Sequence, residues 1–385
     1  MPEVYEHISP GRLIIGPGAV SRFAEVLDPG ETYLIVTDPG LSRAGMARKT
    51  ADILKEAGIK AKIFDRVQAD PPFEIVEEAA AIFREWSCTA LIGLGGGSSL
   101  DAAKAVAVRV SKDRDIREYT KGEWVKGPLA PLYAIPTTAG TGSEATRVAV
   151  ITDTEANVKT AIRGEELLPR AAVLDPLLLS GLPPKIAAET GADALAHAVE
   201  SYVSLNANPY TDALAIQAIG MIGRFLRRMT ANPADTEAAE GMLVASCLAG
   251  QAFTNAGLGL VHSLGEPLGA YSHLGHGLTC AVYLPVVMEF NLPAAEEKFA
   301  EIAMTLGEDT EGLPLNRAAK LAPAAVRELL TDIGIPLTYE KMGIDFKLNR
   351  QMVEDVKPQF STSCNPRKAD DDQIRLLFMT PAQGG

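Results

Sequence analysis

Four short strand-like runs, alternating with stretches of helical spacing, restrict the first half of this chain more than any other feature. TYLIVTD (32–38) ends at an aspartate before a Pro-Gly turn, and a helical stretch from about Arg43 to Ala57 closes at Gly58. KAKIFD (60–65) comes next, then FEIVEEAAAIFREW (73–86), which carries its apolar residues at helical spacing. TALIGLG (89–95) ends in glycines, another helix begins near Leu100, and APLYAIPTT (130–138) reads as a further strand. Strands alternating with helices in this way form βαβ units and a parallel sheet, whose strand ends are where ligands bind. Near residue 180 the pattern changes. GLPPKIAAETGADALAHAVESYVS opens with prolines suited to a helix start, and from there to about residue 335 the chain is mainly helical in pattern. Two domains are expected, 1–180 and 181–385, with the boundary in the loop 176–184. A chain of 385 residues also exceeds what one core usually organises.

Charge and composition exclude several partners. The formal net charge of −13, with no Lys/Arg-rich run, disfavours nucleic acid and anionic membranes, which need a basic patch. No uncharged apolar run reaches the roughly eighteen residues that cross a bilayer. MPEVYEHISPGRLIIG lacks the basic head and apolar middle of a secretion signal. Cys88, Cys247, Cys280 and Cys364 are scattered and form no CxxC pair. They read as reduced thiols in a cytoplasmic protein, not as a disulfide framework or a thiolate zinc site.

LGGGSSLDAAK (94–104) lies between a strand and a helix. Glycines there let the backbone approach a ligand, and the open N–H groups of a helix start favour pyrophosphate. The loop is not the usual GxGxxG fingerprint: Gly95, Gly96 and Gly97 are adjacent, and Asp101 falls within the first helical turn, where a helix N-terminal charge is the simpler reading. A plain strand-to-helix turn also fits the triple glycine. A second polar glycine segment, PTTAGTGSEAT (136–146), lies after another strand end and shifts the balance toward a large anionic cofactor. Asp38 ends an earlier strand. A carboxylate there suits an adenosine ribose and repels a 2′-phosphate.

GADALAHAVES (191–201) holds Asp193 and His197 at i, i+4, hence on one face of a helix, with Leu195, Val199 and Tyr202 directed elsewhere. Of five histidines, four (His197, His262, His273, His276) fall between 197 and 276, the last three within the glycine-rich VHSLGEPLGAYSHLGHG (261–277). His7 is given no role. One carboxylate with the imidazoles of 197, 262 and 276 makes a mixed oxygen and nitrogen site suited to Fe(II), Zn(II), Mn(II) or Ni(II). The glycines are expected to bend the 261–277 segment so that histidines fourteen positions apart converge. Ser98 and Ser143 make no GxSxG elbow, and no cysteine is placed for catalysis by a motif.

Together GGGSSLDAAK, PTTAGTGSEATRVAVITD, GADALAHAVESYVS, GLVHSLGEPLGAYSHLGHG and the late CNPR (364–367) resemble the iron-containing (group III) alcohol dehydrogenase family over nearly the whole chain. The resemblance implies an N-terminal Rossmann-like α/β domain for NAD(P), an all-α C-terminal domain of dehydroquinate synthase-like architecture, and a divalent metal in the cleft between them. Carried over residue by residue, the metal ligands are Asp193, His197, His262 and His276. Gly95, Gly96, Gly97, Ser98, Thr137, Thr138 and Ser143 meet the dinucleotide, and Lys159 approaches it. Asp38 stands where NAD-preferring members carry an acid, so NAD is expected ahead of NADP, with Fe(II) ahead of Zn(II) or another divalent metal. The implied reaction moves hydride between a metal-activated primary alcohol (or aldehyde) and the nicotinamide, with no protein nucleophile. A homo-oligomer, dimer or larger, is also implied. A lyase of the dehydroquinate-synthase kind is the alternative.

One position departs from the family. Many members carry a further histidine four residues after the third ligand, where this chain has Glu266. Glu266 could accept the alcohol proton, ligate the metal, or hydrogen-bond a neighbouring imidazole, the last being the leading reading. His276 sits at the reacting centre as a ligand, and His273 is a further candidate for proton relay.

Overall fold

Strand β2 (Thr32–Val36) supplies Tyr33, Leu34, Ile35 and Val36 with no exposed surface at all. A strand buried on both faces belongs to the middle of a covered parallel sheet. The computed structural model describes residues 4–155 and 158–382. In it the chain forms two units, Ile8–Gly181 and Leu182 onward, the second also holding the N-terminal residues as far as His7.

The first unit carries a six-stranded, wholly parallel sheet. Its strands are β1 (Leu13–Ile15), β2, β3 (Lys60–Phe64), β4 (Ala90–Gly95), β5 (Leu132–Pro136) and β8 (Ala171–Leu174), ordered β1-β8-β5-β4-β2-β3. A separate antiparallel hairpin pairs β6 (Val148–Asp153) with β7 (Val158–Arg163). Helices α1 (Ala19–Phe23) and α3 (Met46–Glu56) pack on one face through Phe23, Ala47 and Leu54. Short α2 (Pro39–Arg43) starts the connection to α3. Helices α4 (Phe73–Glu85) and α5 (Gly97–Ser111) cover the other face with Phe73, Val76, Val106 and Val108. The chain leaves β2 toward β3 and leaves β4 toward β5, in opposite directions across the sheet. Between β2 and β4 therefore lies the switch point where open parallel sheets bind ligands.

The four strands and the helices between them lie where the alternation expected them. β1, β8 and the hairpin were not anticipated. β1 has three residues at a sheet edge, and β8 four, too short for either to show a period.

The second unit is helical among its described residues. It opens with α6 (Pro184–Val203), whose first residue is a proline as the sequence suggested, then α7 (Pro209–Ala231), α8 (Thr236–Ala256), α9 (Leu260–Ser272), α10 (His276–Asn291), α11 (Glu296–Thr305) and α12 (Leu315–Asp332). Four further short α-helices and two 3-10 turns complete it among the described residues. Helix α6 is buried along nearly its whole length by α7, α8 and α10. Its small residues permit this: a Cβ on Gly191 would lie 2.2 Å from Leu226 Cδ1. The segment from His276 to Ala294 is long and apolar enough to cross a bilayer by composition, but it is 67% buried inside the unit, as a core helix is.

Residues 261–277 correct one expectation. They do not form a bent loop but most of α9, a three-residue link and the start of α10. Only the link turns, with His273 closing α9 in the left-handed region (φ 57°). Gly265 and Gly269 are helical, and their lack of side chains lets α9 and α10 pack closely.

Candidate metal centre

Two helix starts and one helix face build a cluster of donor atoms. Asp193 and His197 share a face of α6, His262 lies in the first turn of α9, and His276 is the first residue of α10. Asp193 Oδ1 lies 3.8 Å from His197 Nε2, 3.7 Å from His262 Nε2 and 3.7 Å from His276 Nε2. These gaps are too long for hydrogen bonds. They match donors that share one ion: at 2.0–2.3 Å from a tetrahedral centre, donor atoms stand about 3.3–3.8 Å apart. The rings of His197 and His262 stack at 4.7 Å.

The cluster also asks for positive charge. Asp193 and His262 are both 3% exposed, yet Asp193 Oδ1 and His262 Nε2 have no hydrogen-bond partner. Leaving buried acceptors bare costs about 1–3 kcal/mol each, so native proteins seldom do it without an ion or water. Burial works against ionisation of Asp193, but His197, His276 and His262 outweigh it and hold the carboxyl far below its usual range. His276 is raised to about 9, first by Cys280, then by Asp193 acting against burial. A divalent cation would replace those protons and leave the imidazoles neutral. The residues present therefore fit a divalent metal.

Glu200 fixes the orientation. It is 3% exposed, accepts from His262 Nδ1 at 2.6 Å and from the Val261 N–H at 2.5 Å. With Nδ1 bonded to a carboxylate, Nε2 is left to face Asp193. The carboxylate on the imidazole is thus Glu200, and Glu266 is exposed. A sequence signal for Glu200 existed: it continues the Asp193, His197 stripe at i+7. Asn365 of CNPR accepts from the Leu260 N–H at 3.2 Å and exchanges hydrogen bonds with Asn291, tying the start of α9 to the end of α10. Arg367 caps the Phe290 carbonyl at 2.7 Å. At Gly277 a Cβ would lie 2.2 Å from the Glu189 carbonyl oxygen, so only glycine lets α10 bring His276 against α6.

Cys280 joins this cluster against expectation. One turn after His276, fully buried, its sulfur lies 3.7 Å from His276 Nε2, and a ligand atom from each of Asp193, His262, His276 and Cys280 falls within 4.8 Å of the others. All four cysteines are free thiols. His273 is exposed, and its backbone closes α9 by donating to the Gly269 carbonyl at 2.9 Å.

The other predicted residues lie in the first unit, most of them just after the ends of β2, β4 and β5. Asp38 comes just after β2 and caps α2, its Oδ1 accepting from Gly40 and Leu41 N–H groups at 2.7 and 3.0 Å. Next to it β4 ends in Gly95, whose φ of 148° and a would-be Cβ 2.6 Å from Ser99 Oγ exclude other residues. Gly96 precedes α5, whose start no side chain caps, and Ser98 lies half-buried in the first turn. An uncapped helix start at a strand end is suited to a phosphate. The Thr137 N–H donates to the Gly95 carbonyl, and Thr138 flanks Gly96, so the two glycine segments adjoin. Asp101 is engaged within the fold, accepting from Ser143 Oγ at 2.6 Å and the Val150 N–H at 3.0 Å. Buried Lys104 donates to the Thr146 carbonyl and hydroxyl and to the Val148 carbonyl at 2.8–2.9 Å. Sequence reasoning missed this lysine. Lys159, exposed on β7, pairs with Asp70 at 2.7 Å.

Residues 10–176 match the family model of iron-containing alcohol dehydrogenases, and 187–381 match that family's C-terminal model. The chain belongs to the iron-containing alcohol dehydrogenase family. It is an oxidoreductase of alcohols and aldehydes. Among its relatives it is 41% identical to the 1,3-propanediol dehydrogenase of Klebsiella pneumoniae, over 97% of this chain and 98% of that one. It is 40% identical to the NAD-dependent methanol dehydrogenase of Bacillus methanolicus, over 96% and 97%. A crystal structure of a 1,3-propanediol oxidoreductase superposes with a TM-score of 0.96 at 40% identity, covering 98% of this chain and all of the other. For this iron-containing alcohol dehydrogenase the parallel-sheet α/β unit and the helical unit are the family's fold.

Proposed function

We propose that this chain is an NAD-linked dehydrogenase of short primary alcohols, working in reverse as an aldehyde reductase. Asp193, His197, His262 and His276 would hold a divalent metal, Fe(II) ahead of Zn(II). The observation that carries this reading is the pair of buried, unpartnered atoms Asp193 Oδ1 and His262 Nε2, facing each other at 3.7 Å. The relatives that act on 1,3-propanediol and methanol support the substrate class.

A bound divalent metal supplies Lewis acidity, favouring loss of the alcohol proton and polarising an aldehyde carbonyl. Asp193 and the three imidazoles are brought near one another by the packing of α10 on α6 and α9. Glu200 keeps the His262 proton on Nδ1. Glu266, exposed one turn after His262, receives the alcohol's proton at its carboxylate and passes it to water, with His273 the second candidate. In the first unit the uncapped start of α5 and the hydroxyls of Ser98, Thr137 and Thr138 bind the pyrophosphate. Asp38 retains Oδ2 for the adenosine ribose and disfavours a 2′-phosphate, so NAD exceeds NADP. Lys159 closes on the dinucleotide after leaving Asp70. Asp101 and Ser143 act by holding the second glycine segment. Hydride transfer requires the nicotinamide to be held against the activated alcohol carbon. A cytoplasmic location and a homodimer or larger assembly complete the proposal.

With NAD and a short primary alcohol, NADH should accumulate steadily over many turnovers, and NADP should support a much lower rate. A lyase of the dehydroquinate-synthase kind returns its cofactor to the starting state, so an absence of net NADH beside conversion of substrate would overturn the reading.

A further inference from the structure

We propose that Cys280 is a further metal ligand of this centre, a thiolate donor that biases it toward thiophilic ions. The proposal rests on the metal reading above but concerns a residue outside its four-ligand set. Cys280 lies at i+4 from His276, hence on the same face of α10 and in the turn that presents that imidazole. Its sulfur is 3.7 Å from His276 Nε2, the same separation that Asp193 Oδ1 keeps from His262 and His276. A ligand atom from each of Asp193, His262, His276 and Cys280 falls within 4.8 Å of the others, although no sequence spacing announces the set.

Two further observations separate Cys280 from a cysteine that merely fills space. The cluster contains buried polar atoms with no partner, Asp193 Oδ1 and His262 Nε2, which an ion at the same centre would satisfy. The facing helix also makes room for the sulfur: a Cβ on Gly265 of α9 would stand 3.2 Å from Cys280 Sγ, tighter than ordinary contact. On binding, the thiol loses its proton to solvent and the sulfur forms a bond to the ion, with no change of oxidation state. A thiolate beside one carboxylate and three imidazoles raises affinity for Zn(II) and Co(II) over harder ions such as Mn(II).

The test uses metal-free full-length protein, reloaded with Co(II) or Zn(II), in the parent, in Cys280→Ser and in the control Cys364→Ser. Parent and control should each show a near-ultraviolet thiolate-to-Co(II) charge-transfer band, and Cys280→Ser should lose it while keeping the visible ligand-field bands. X-ray absorption of the parent Zn(II) form should require one sulfur at about 2.3 Å beside nitrogen and oxygen at about 2.0–2.2 Å. The preference for Zn(II) over Mn(II) should fall by about tenfold or more in Cys280→Ser. Visible ligand-field bands without a thiolate band in the parent, or a Zn(II) shell of nitrogen and oxygen alone, would overturn the role of Cys280 and leave the four-ligand centre intact. A parent that binds neither ion would overturn the metal centre itself. If Cys280→Ser does not fold, the Zn(II) coordination shell of the parent still decides.

Discussion

At the scale of single residues, Glu200 carries more of the site than its place in the sequence suggests. It is buried at 3% exposure, and its two oxygens engage the His262 ring and the Val261 backbone. Glu200→Gln keeps the shape but offers Nδ1 a weaker and misdirected partner. Metal affinity should fall about 10–100-fold, read by competition with a chelator, while circular dichroism stays that of the parent. Unchanged affinity would mean that His262 needs no carboxylate to orient it. Part of this centre was legible in the sequence and part was not, for identifiable reasons. Asp193 and His197 announced themselves by i, i+4 spacing, and His262 and His276 by crowding in a chain with few histidines. Glu200 lay on the same stripe, but an acid there reads as an ordinary polar residue until a histidine from α9 meets it. Cys280 gave no signal, since a lone cysteine acquires its neighbours only when α9 and α10 pack.

At the scale of elements, the glycine segments of the first unit stand on buried charge. Lys104 is 1% exposed and Glu144 2%, with Asp101 beside them. Burial lowers Lys104 to about 8 and raises Glu144 to about 7. Glu144 thus keeps its proton in the fold to a higher pH than in the unfolded chain, whose carboxyls ionise near the ordinary 4.5. Stability is therefore lost as pH rises from about 4.5 toward 7, by at most about 3 kcal/mol from this group. Glu144→Gln should flatten that part of the profile, gaining on the parent between pH 5 and 7 in denaturant titrations. Parallel profiles would show that Glu144 does not titrate there. The apolar runs predicted β2, β4 and β5 because a buried parallel strand is a continuous apolar run, while β3, at the sheet edge, alternates lysine with apolar residues. The stretch 261–277 misled for the opposite reason: glycine is a turn signal locally, but Gly265 and Gly277 serve helix packing, which only the assembled unit reveals.

At the scale of the whole molecule, the proposed function assigns the dinucleotide to one unit and the metal to the other. The sheet's switch point gathers Asp38 and the glycine segments, and the helical unit sets Asp193, His262, His276 and Cys280 close together, with His197 Nε2 3.8 Å from Asp193 Oδ1. The sequence resemblance carried the fold class and the family, because its motifs span both units. It exposed Glu266 as a departure, but it could not carry the packing of α9 on α10 that brings Cys280 beside His276. The central claim is that the donor cluster on α6, α9 and α10 holds a catalytic divalent metal. The most direct measurement is NAD-linked oxidation of a short primary alcohol by protein stripped of metal, verified by elemental analysis, before and after divalent metal is restored. Stripping should lower kcat at least about a hundredfold, and restoring Fe(II) or Zn(II) should recover it. Metal-free protein oxidising the alcohol at the full rate would contradict the account.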